Sequence, residues 1–389
     1  MSAVQTVLVI SPTPSSPAIQ GNRQRVRDFG RALKAAGMRV IFIYYATEGL
    51  SEASLVGMQA EWDHLIVVRP GANHQKRSFA AFYGIDDWCP PELVEAVADV
   101  FRHVKIDLCV VNYVWLSACL EVVPAGCTKI IDTHDLFGGR ADHFYALKRQ
   151  PEWFYTSPDQ EMIGLDRADY VVAIQDEEAE VLRTRTQARV LSIGMLAGEI
   201  PHRNVRQHDG RTVVGFIASG NPMNVHSILS YIEALRTLPE MSTVEHVAAG
   251  SICDILSQLP AQPFRLLGLT DTVAAFYEQI DIAINPMIGG TGLKIKSIEA
   301  LTHGVAFVGT KDAMAGIPSD RPEHRYDTAL EVARGVYHLA SEPRALNASA
   351  ESSTPLFRSY AWEQYARFTA FLERLFGTLE TLPDTEKPA

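Results

Sequence analysis

A glycine-rich stretch followed by two lysines and a glutamate is the part of the sequence best suited to chemistry. Its first residues are Gly289, Gly290, Thr291, Gly292, Leu293 and Lys294. Glycines let a backbone approach a ligand closely. A helix beginning near 291–293 would direct its free N–H groups and the positive end of its dipole into this loop. A cation in the first turn is unfavourable unless an anion shares the site. The stretch therefore predicts a phosphate site.

Glu299 follows on the same predicted helix and indicates a second kind of contact. Its carboxylate repels phosphate but accepts hydrogen bonds from the hydroxyls of a sugar or a ribose. The simpler alternative is a glycine-rich turn before an ordinary helix, with Lys294, Lys296 and Glu299 as solvated charges. The stretch is neither a P-loop nor the GxGxxG dinucleotide fingerprint, because it lacks both patterns and follows a late strand.

Two loops in the first half of the chain also carry polar and charged side chains. The first follows the apolar run 128–132 and contains His134, Asp135 and Arg140. The second leads into the helix-like run 22–36 and contains Gly21, Asn22, Arg23 and Arg27. The structural alternatives are a histidine that satisfies its own loop, a helix N-cap at Asp135 and a solvated helix face.

The remaining side chains give no sign of a metal or of a disulfide framework. The 12 histidines include no HExxH pair, no DxD stands in a convincing loop, and the five cysteines are never spaced as CxxC. We therefore expect metal-independent chemistry, no cofactor and a reducing, cytoplasmic location. The chain opens on a strand-like run and has no apolar run of about 18 residues, so we expect neither a secretory signal nor a transmembrane helix.

The alternation of apolar and amphipathic runs predicts the domain organisation. Both halves show it, and it is typical of parallel sheets flanked by helices. We expect a first α/β domain at 1–198, a polar linker at 199–211 and a second α/β domain at 212–358. A helix at 359–378 is expected to cross back to the first domain, before a frayed tail at 379–389. The net charge of −11 is spread over both halves, which argues against nucleic acid as a partner.

The order of these features resembles the retaining GT-B glycosyltransferases of family 4, the glycosyl transferases group 1. The resemblance is most specific in 281–310, where a proline, the glycine-rich turn, a lysine and Glu299-Ala300-Leu301 precede a glycine and a valine-rich strand. The run 214–225 is similar to the family's phosphate-side loop. The resemblance covers about residues 4–340.

This resemblance implies two Rossmann-like domains that face each other across a cleft. It also implies a hexosyltransferase-type enzyme that moves a sugar, with retention, from a nucleotide-diphosphate sugar to an acceptor hydroxyl in polysaccharide or glycoconjugate biosynthesis. The implied catalytic residues are His134, Lys294 and Glu299. The implied donor site comprises Gly220, Asn221, Asn224, Glu299 and residues 289–294. The implied acceptor site comprises Gly21, Asn22, Arg23, Arg27, Asp135 and Arg140.

The sequence also departs from the family pattern at the predicted donor site. Thr291 stands where many members have the first of two glutamates. Asn221, Asn224 and His226 stand where many have an arginine and a lysine for the diphosphate. A non-hydrolysing nucleotide-sugar epimerase and a catalytically silent homologue that binds sugar nucleotides or polysaccharide therefore remain as alternatives. For a transferase, the expected partners are a nucleotide sugar and a saccharide or lipid-linked acceptor, with peripheral contact to the inner membrane surface.

Overall fold

The computed structural model describes residues 4–18, 20–72, 75–146, 150–151, 153–196, 210–270, 272–289 and 292–377. The chain divides into two compact units. The first unit contains the described residues up to 196 together with those from 364 onward, and the second contains those from 210 to 363. Most of the predicted linker and all of the predicted tail lie outside the described residues.

A seven-stranded parallel sheet forms the centre of the first unit, in the order β3-β2-β1-β4-β5-β6-β7. Its strands are β1 (Thr6–Ser11), β2 (Arg39–Tyr45), β3 (His64–Val68), β4 (Leu108–Asn112), β5 (Thr128–Asp132), β6 (Tyr170–Ala173) and β7 (Arg189–Ser192). Leu8 and Ile10 belong to one apolar cluster and Val7 and Val9 to another, because successive strand side chains point to opposite faces. Both faces are therefore buried, which explains the nearly continuous apolar runs.

The helices of the first unit include three outside the runs 22–36, 91–104, 158–167 and 176–185, where the sequence pattern predicts helices. The helices are α1 (Gly21–Ala35), α2 (Glu52–Glu61), α3 (Pro91–His103), α4 (Arg140–Ala146), α5 (Pro158–Leu165) and α6 (Asp176–Arg183), with a 3-10 helix at Val114–Val122. The unpredicted ones are α2, α4 and the 3-10 helix. In the 3-10 helix most side chains are buried, so its sequence lacks the polar face from which an amphipathic helix is recognised.

The second unit has a five-stranded parallel sheet in the order β10-β9-β8-β11-β12. Its strands are β8 (Val213–Ile217), β9 (Glu245–Ala249), β10 (Phe264–Gly268), β11 (Ile282–Asn285) and β12 (Ala306–Gly309). Its helices are α7 (Pro222–Arg236), α8 (Ile252–Leu256), α9 (Val273–Tyr277), α10 (Ile295–Thr302), α11 (Ala329–Ser341) and α12 (Pro343–Phe376), with 3-10 helices at Pro239–Thr243, Asp312–Met314 and Pro322–His324.

The last helix, α12, is longer than predicted and begins at Pro343. Its serines and Pro355 are weak helix formers, which hid the first part of the helix from sequence analysis. From residue 364 onward it belongs to the first unit. There Phe368 packs edge-on against Phe29 with a centroid separation of 5.4 Å, and the Gly194 N–H donates to Gln364 Oε1 at 2.7 Å. Within the described part of the chain, no helix is long and apolar enough to span a membrane.

In both sheets the strand order reverses beside the first strand of the unit. β1 lies between β2 and β4, and β8 lies between β9 and β11. In open α/β sheets, ligands bind outside the carboxyl ends of the strands at such a switch point. The loops that follow β1 and β4 in the first unit, and β8 and β11 in the second, are therefore where functional side chains are expected.

Candidate active site

In the second unit, the glycine-rich loop after β11 carries the predicted phosphate site. Gly289 and Gly292 have φ values of 71° and 72°, in the left-handed region that glycine adopts most easily. The Gly289 N–H donates to Asp312 Oδ2 at 2.7 Å, and Leu293 is buried. Gly290 and Thr291, which the sequence also assigns to this site, lie outside the described residues.

The helix that follows this loop begins later than predicted, at Ile295, with Lys294 at the N-cap. Lys294 is buried, and its Nζ donates to the carbonyl oxygen of Gly292. The lysine within the first turn is therefore Lys296, and the argument from the helix dipole applies to it. The helix pattern was correct, but its boundary was misplaced because glycine and threonine give no sharp start signal.

Lys296 is a functional candidate that was not among the site residues predicted from the sequence. Its Nζ donates to Asn224 Oδ1 and lies 5.1 Å from the ring centroid of Phe216 on β8. Burial, reinforced by the nearby charge of Lys294, lowers the pKa of Lys296 to about 7. A poorly solvated cation attracts an anion more strongly than a solvated cation does, because less water screens the two charges. The feature of the sequence that could have identified Lys296 is its position three residues before Glu299 on the same predicted helix.

The loop after β8 is organised by its own side chains. Asn221 caps α7 by accepting the Asn224 N–H at 2.9 Å through Oδ1. Asn224 is buried, and its Nδ2 donates to the Ser219 carbonyl at 3.0 Å, which leaves Oδ1 for Lys296. The Gly220 N–H donates to Ser251 Oγ at 3.0 Å. The structure therefore joins the predicted residues of this loop to the start of α10 through one lysine.

Glu299 is partly buried on α10, near the same lysine. Its negative charge acts to raise the pKa of Lys296, against the larger effect of burial. Burial raises the pKa of Tyr277 well above its ordinary value, and the negative charge of Glu299 raises it further. The Tyr277 hydroxyl donates to the Lys296 carbonyl at 3.1 Å. One cation and one carboxylate thus stand close together at this end of the sheet.

In the first unit, His134 is a buried, neutral histidine in a strained backbone position. Its φ is 60°, its ring stacks on Tyr113 at 4.1 Å, and its Nε2 lies 2.9 Å from Asn112 Oδ1. Asn112 Nδ2 donates to the Ile10 carbonyl, so Oδ1 is the acceptor and Nε2 of His134 carries the proton. Burial, aided by the charge of Arg25, lowers the pKa of His134 to about 4.

A buried ion pair supports this histidine. Arg25 donates to Asp132 from Nε and Nη2, at 2.6 Å for the Nη2 contact, and Asp132 Oδ2 lies 3.5 Å from His134 Nε2. Arg25 Nη1 also donates to the Gly194 carbonyl at 2.8 Å. Among Arg23, Arg25 and Arg27, the three arginines near the start of this helix, the structure gives Arg25 the buried position.

Of the predicted acceptor residues at the start of α1, Asn22 lies close to Tyr113 and Arg23 pairs with Glu48. Asn22 and Thr13 are hydrogen-bond partners of the Tyr113 side chain. Arg23 forms an ion pair with Glu48 at 2.7 Å, and Thr13 Oγ1 donates to the other carboxylate oxygen at 2.9 Å. The structure thus brings Asn22 and His134 together through one tyrosine, with Gly21 as the first residue of α1.

The other predicted acceptor residues form pairs of their own. Arg140 Nη1 donates to Asp135 Oδ2 at 2.8 Å, and its guanidinium lies 5.2 Å from the Phe137 ring centroid. Arg27 pairs with its neighbour Asp28 at 2.9 Å. In the described ranges, no group of three histidine, cysteine, aspartate or glutamate side chains is placed to hold a metal ion.

A family model matches most of the second unit. Residues 211–337 match the family model described as glycosyl transferases group 1. No curated protein matches the chain by sequence.

Solved glycosyltransferase structures share the fold. Sucrose-phosphate synthase from Thermosynechococcus elongatus superposes with a TM-score of 0.68 at 14% identity, over 95% of this chain and 98% of that chain. The pneumococcal O-GlcNAc transferase GtfA, in complex with UDP and GlcNAc, has a TM-score of 0.66 at 11% identity, over 96% and 100%. Anabaena HepE, in complex with UDP and glucose, has a TM-score of 0.66 at 13% identity, over 95% and 100%.

These comparisons confirm the resemblance and the fold that were predicted from the sequence. The residues with the specific motif, 281–310, lie inside the matched range. Residues 211–337 match the glycosyl transferases group 1, and the chain as a whole has the fold of the GT-B glycosyltransferases.

Proposed function

We propose that this protein transfers a sugar, with retention, from a nucleotide-diphosphate sugar to an acceptor hydroxyl in polysaccharide or glycoconjugate biosynthesis. The observation that supports this most directly is the Lys296–Asn224 contact at the switch point of the second sheet. It places a poorly solvated cation beside a helix N-terminus and a glycine-rich loop, which together suit a diphosphate. The titles of two structural neighbours name UDP with a sugar, which supports a donor of this class.

In this proposal, each part of the donor site has a separate task. The amide groups at the start of α10, with Lys296 and Lys294, neutralise the charge that develops on the departing diphosphate, which is electrostatic stabilisation of the transition state. Glu299 accepts hydrogen bonds from the ribose hydroxyls. Asn221, Asn224 and Gly220 keep the neighbouring loop in place.

The first unit supplies the acceptor side of the proposed reaction. His134 is neutral, and with Nε2 committed to Asn112 its Nδ1 is the acceptor of the ring, which suits a sugar hydroxyl. Gly21, Asn22 and Arg23 form the start of α1 beside it, and Arg27, Asp135 and Arg140 belong to the same proposal. We further propose that the reaction uses no metal and no cofactor.

We also propose a cytoplasmic location with peripheral contact to a membrane. All five cysteines are free thiols and buried, which suits a reducing compartment. The saccharide or lipid-linked class of acceptor motivates the membrane contact. Partition of the tagged chain between soluble and membrane fractions tests it, and complete retention in the soluble fraction would argue against the contact.

Release of nucleoside diphosphate from a panel of nucleotide sugars tests the transfer. The panel is run with and without saccharide acceptors, and in the presence of EDTA. We expect release that depends on an acceptor, a product with the anomeric configuration of the donor, and activity that survives EDTA. Conversion of a lone nucleotide sugar without acceptor would indicate an epimerase. Binding without turnover across the panel would indicate a silent homologue.

A further inference from the structure

The first unit contains a cavity of about 220 Å³ that the donor site does not use. Its lining residues are Pro12, Thr47, Glu48, Gln75, Trp88, Trp115 and Trp153. They include Pro12 of the loop after β1, where the switch point of this sheet predicts a ligand. Pockets for drug-sized ligands measure about 300–1,000 Å³, so this cavity suits a single ring.

Three tryptophans form the apolar walls of the cavity. Trp88 packs edge-on against Trp115 at 5.9 Å and against Trp153 at 5.8 Å. Trp115 also stacks on Tyr113 at 4.3 Å, and Tyr113 in turn stacks on His134. A continuous row of rings therefore connects the cavity to the histidine that we propose contacts the sugar.

The polar side of the cavity is held in a fixed orientation. The Glu48 carboxylate accepts hydrogen bonds from Arg23 at 2.7 Å and from Thr13 at 2.9 Å, and Thr47 Oγ1 donates to the Pro12 carbonyl at 2.8 Å. A carboxylate has lone pairs for further donors. The Gln75 amide can both donate and accept. This edge matches a ligand with several hydroxyl groups.

The backbone is strained at two of the aromatic residues. Trp153 has a φ of 67° and Tyr113 a φ of 70°. Bulky residues rarely adopt positive φ, and residues held so against their preference cluster at ligand sites. Trp153 is also 47% exposed, so its position at the cavity is not explained by burial in the core.

We propose that this cavity binds one pyranose ring, the terminal sugar of a saccharide acceptor. The apolar C–H face of a pyranose matches the tryptophan rings, and its hydroxyls match Glu48, Thr47 and Gln75. A purely aromatic acceptor would pack against the tryptophan rings but would offer no hydroxyl groups to the polar side of the cavity. The inference rests on the proposed function, because it assigns the acceptor class of the same reaction.

Titration of the full chain with methyl glycosides tests this inference. The probes are the methyl pyranosides of glucose, galactose, mannose and N-acetylglucosamine, with p-cresol as the aromatic arm, and binding is followed by tryptophan fluorescence and ligand-observed NMR. We expect at least one pyranoside to bind and p-cresol not to bind. Trp153→Ala should weaken that pyranoside about three- to tenfold, because a stacked ring is lost, and Trp153→Phe should restore most of the affinity.

Two further variants make the result specific. Glu48→Gln should weaken pyranoside binding, because an amide is a weaker hydrogen-bond acceptor than a carboxylate and cannot form the ion pair with Arg23. Phe79→Ala is the matched control, since Phe79 is an exposed aromatic residue of the same unit that does not line the cavity. Failure of all four pyranosides, binding of p-cresol alone, or equal effects of Trp153→Ala and Phe79→Ala would overturn the inference.

Binding of UDP and of GDP to the same samples separates this inference from the proposed function. UDP binding that depends on Lys296, together with failure of all four pyranosides, overturns the inference alone. Pyranoside binding that depends on Trp153, without binding of any nucleoside diphosphate, supports the sugar site and contradicts the proposed transferase.

Discussion

The ammonium of Lys296 donates a hydrogen bond to Oδ1 of Asn224, a residue 72 positions earlier in the chain. This contact joins the start of α10 to the first turn of α7, and these helices follow neighbouring strands of the second sheet. The two loops before these helices therefore share one cation. Their junction is where an anionic ligand would gain the most from both helix N-termini.

Replacement of Lys296 by methionine should weaken nucleoside-diphosphate binding about ten- to hundredfold. A hydrogen bond to a charged group contributes about 1.5–3 kcal/mol. Isothermal titration calorimetry with UDP and GDP measures the effect. Lys294→Met is the matched control, because its ammonium bonds the Gly292 carbonyl, and we expect a smaller loss from it. Equal affinity of Lys296→Met and the unmodified protein would remove Lys296 from the site.

Nucleoside-diphosphate affinity should fall as the pH rises above about 7. The pKa of Lys296 is about 7, so the free protein carries the ammonium below that pH and loses it above. Binding of an anion that requires this proton weakens up to about tenfold per pH unit in that range. Titrations at several pH values from 6 to 9 measure the slope.

Lys296→Arg is the control for this pH dependence. Arginine stays charged over the whole range, so its slope reports only the ligand's own ionisation. Lys294→Met should move the midpoint of the pH dependence upward, because it removes a like charge that lowers the pKa of Lys296. Parallel slopes for Lys296→Arg and the unmodified protein would contradict the assigned role.

The sequence predicts the sheets well, because buried parallel strands are continuous apolar runs. The motif also selected the loop after β11 and Glu299, and their roles stay predictions. It selected Lys294, whereas the environment of Lys296 depends on which residue begins α10 and on the packing of Phe216 beneath the ammonium, which the sequence does not show. The Arg25–Asp132 pair could not be predicted either, because its members lie 107 positions apart in the chain and only the parallel order of the strands brings them together.

Glu299→Gln should lower the affinity for a nucleoside diphosphate, because an amide is a weaker acceptor for ribose hydroxyls than a carboxylate. We expect a loss of about five- to tenfold, from about 1 kcal/mol of hydrogen bonding. Calorimetry with UDP and 2′-deoxy-UDP on both proteins gives a double-mutant cycle. If Glu299 contacts the ribose, the two changes are not additive. Full additivity would place its contact elsewhere.

Stability should fall on acidification in a way that depends on His134. Burial lowers the folded-state pKa of His134 to about 4, against an ordinary value of about 6.5. The unfolded chain therefore binds more protons between these values. The contribution of His134 is complete above about 6.5 and is lost as the pH falls towards 4, by at most about 3 kcal/mol.

The variant that isolates this effect is His134→Asn, because asparagine tolerates the positive φ at this position. Urea unfolding at pH 7, 6, 5 and 4 should show a shallower loss of stability for this variant. Exposed His64→Asn is the control. His246 and His324 also have pKa values of about 4 through burial, so the difference between proteins, and not the total slope, is the readout. Identical slopes for His134→Asn and His64→Asn would contradict a buried neutral His134.

Arg25→Met should destabilise the first unit by about 3–5 kcal/mol, because it leaves the Asp132 carboxylate buried without its partner. Denaturant unfolding at neutral pH measures the loss. Arg27→Met is the control on the same helix, since its ion pair with Asp28 is partly exposed and contributes at most about 1 kcal/mol. Adding Asp132→Asn to Arg25→Met should recover part of the stability, because it removes the uncompensated charge. A double variant no more stable than Arg25→Met would mean that lost packing, and not charge, causes the destabilisation.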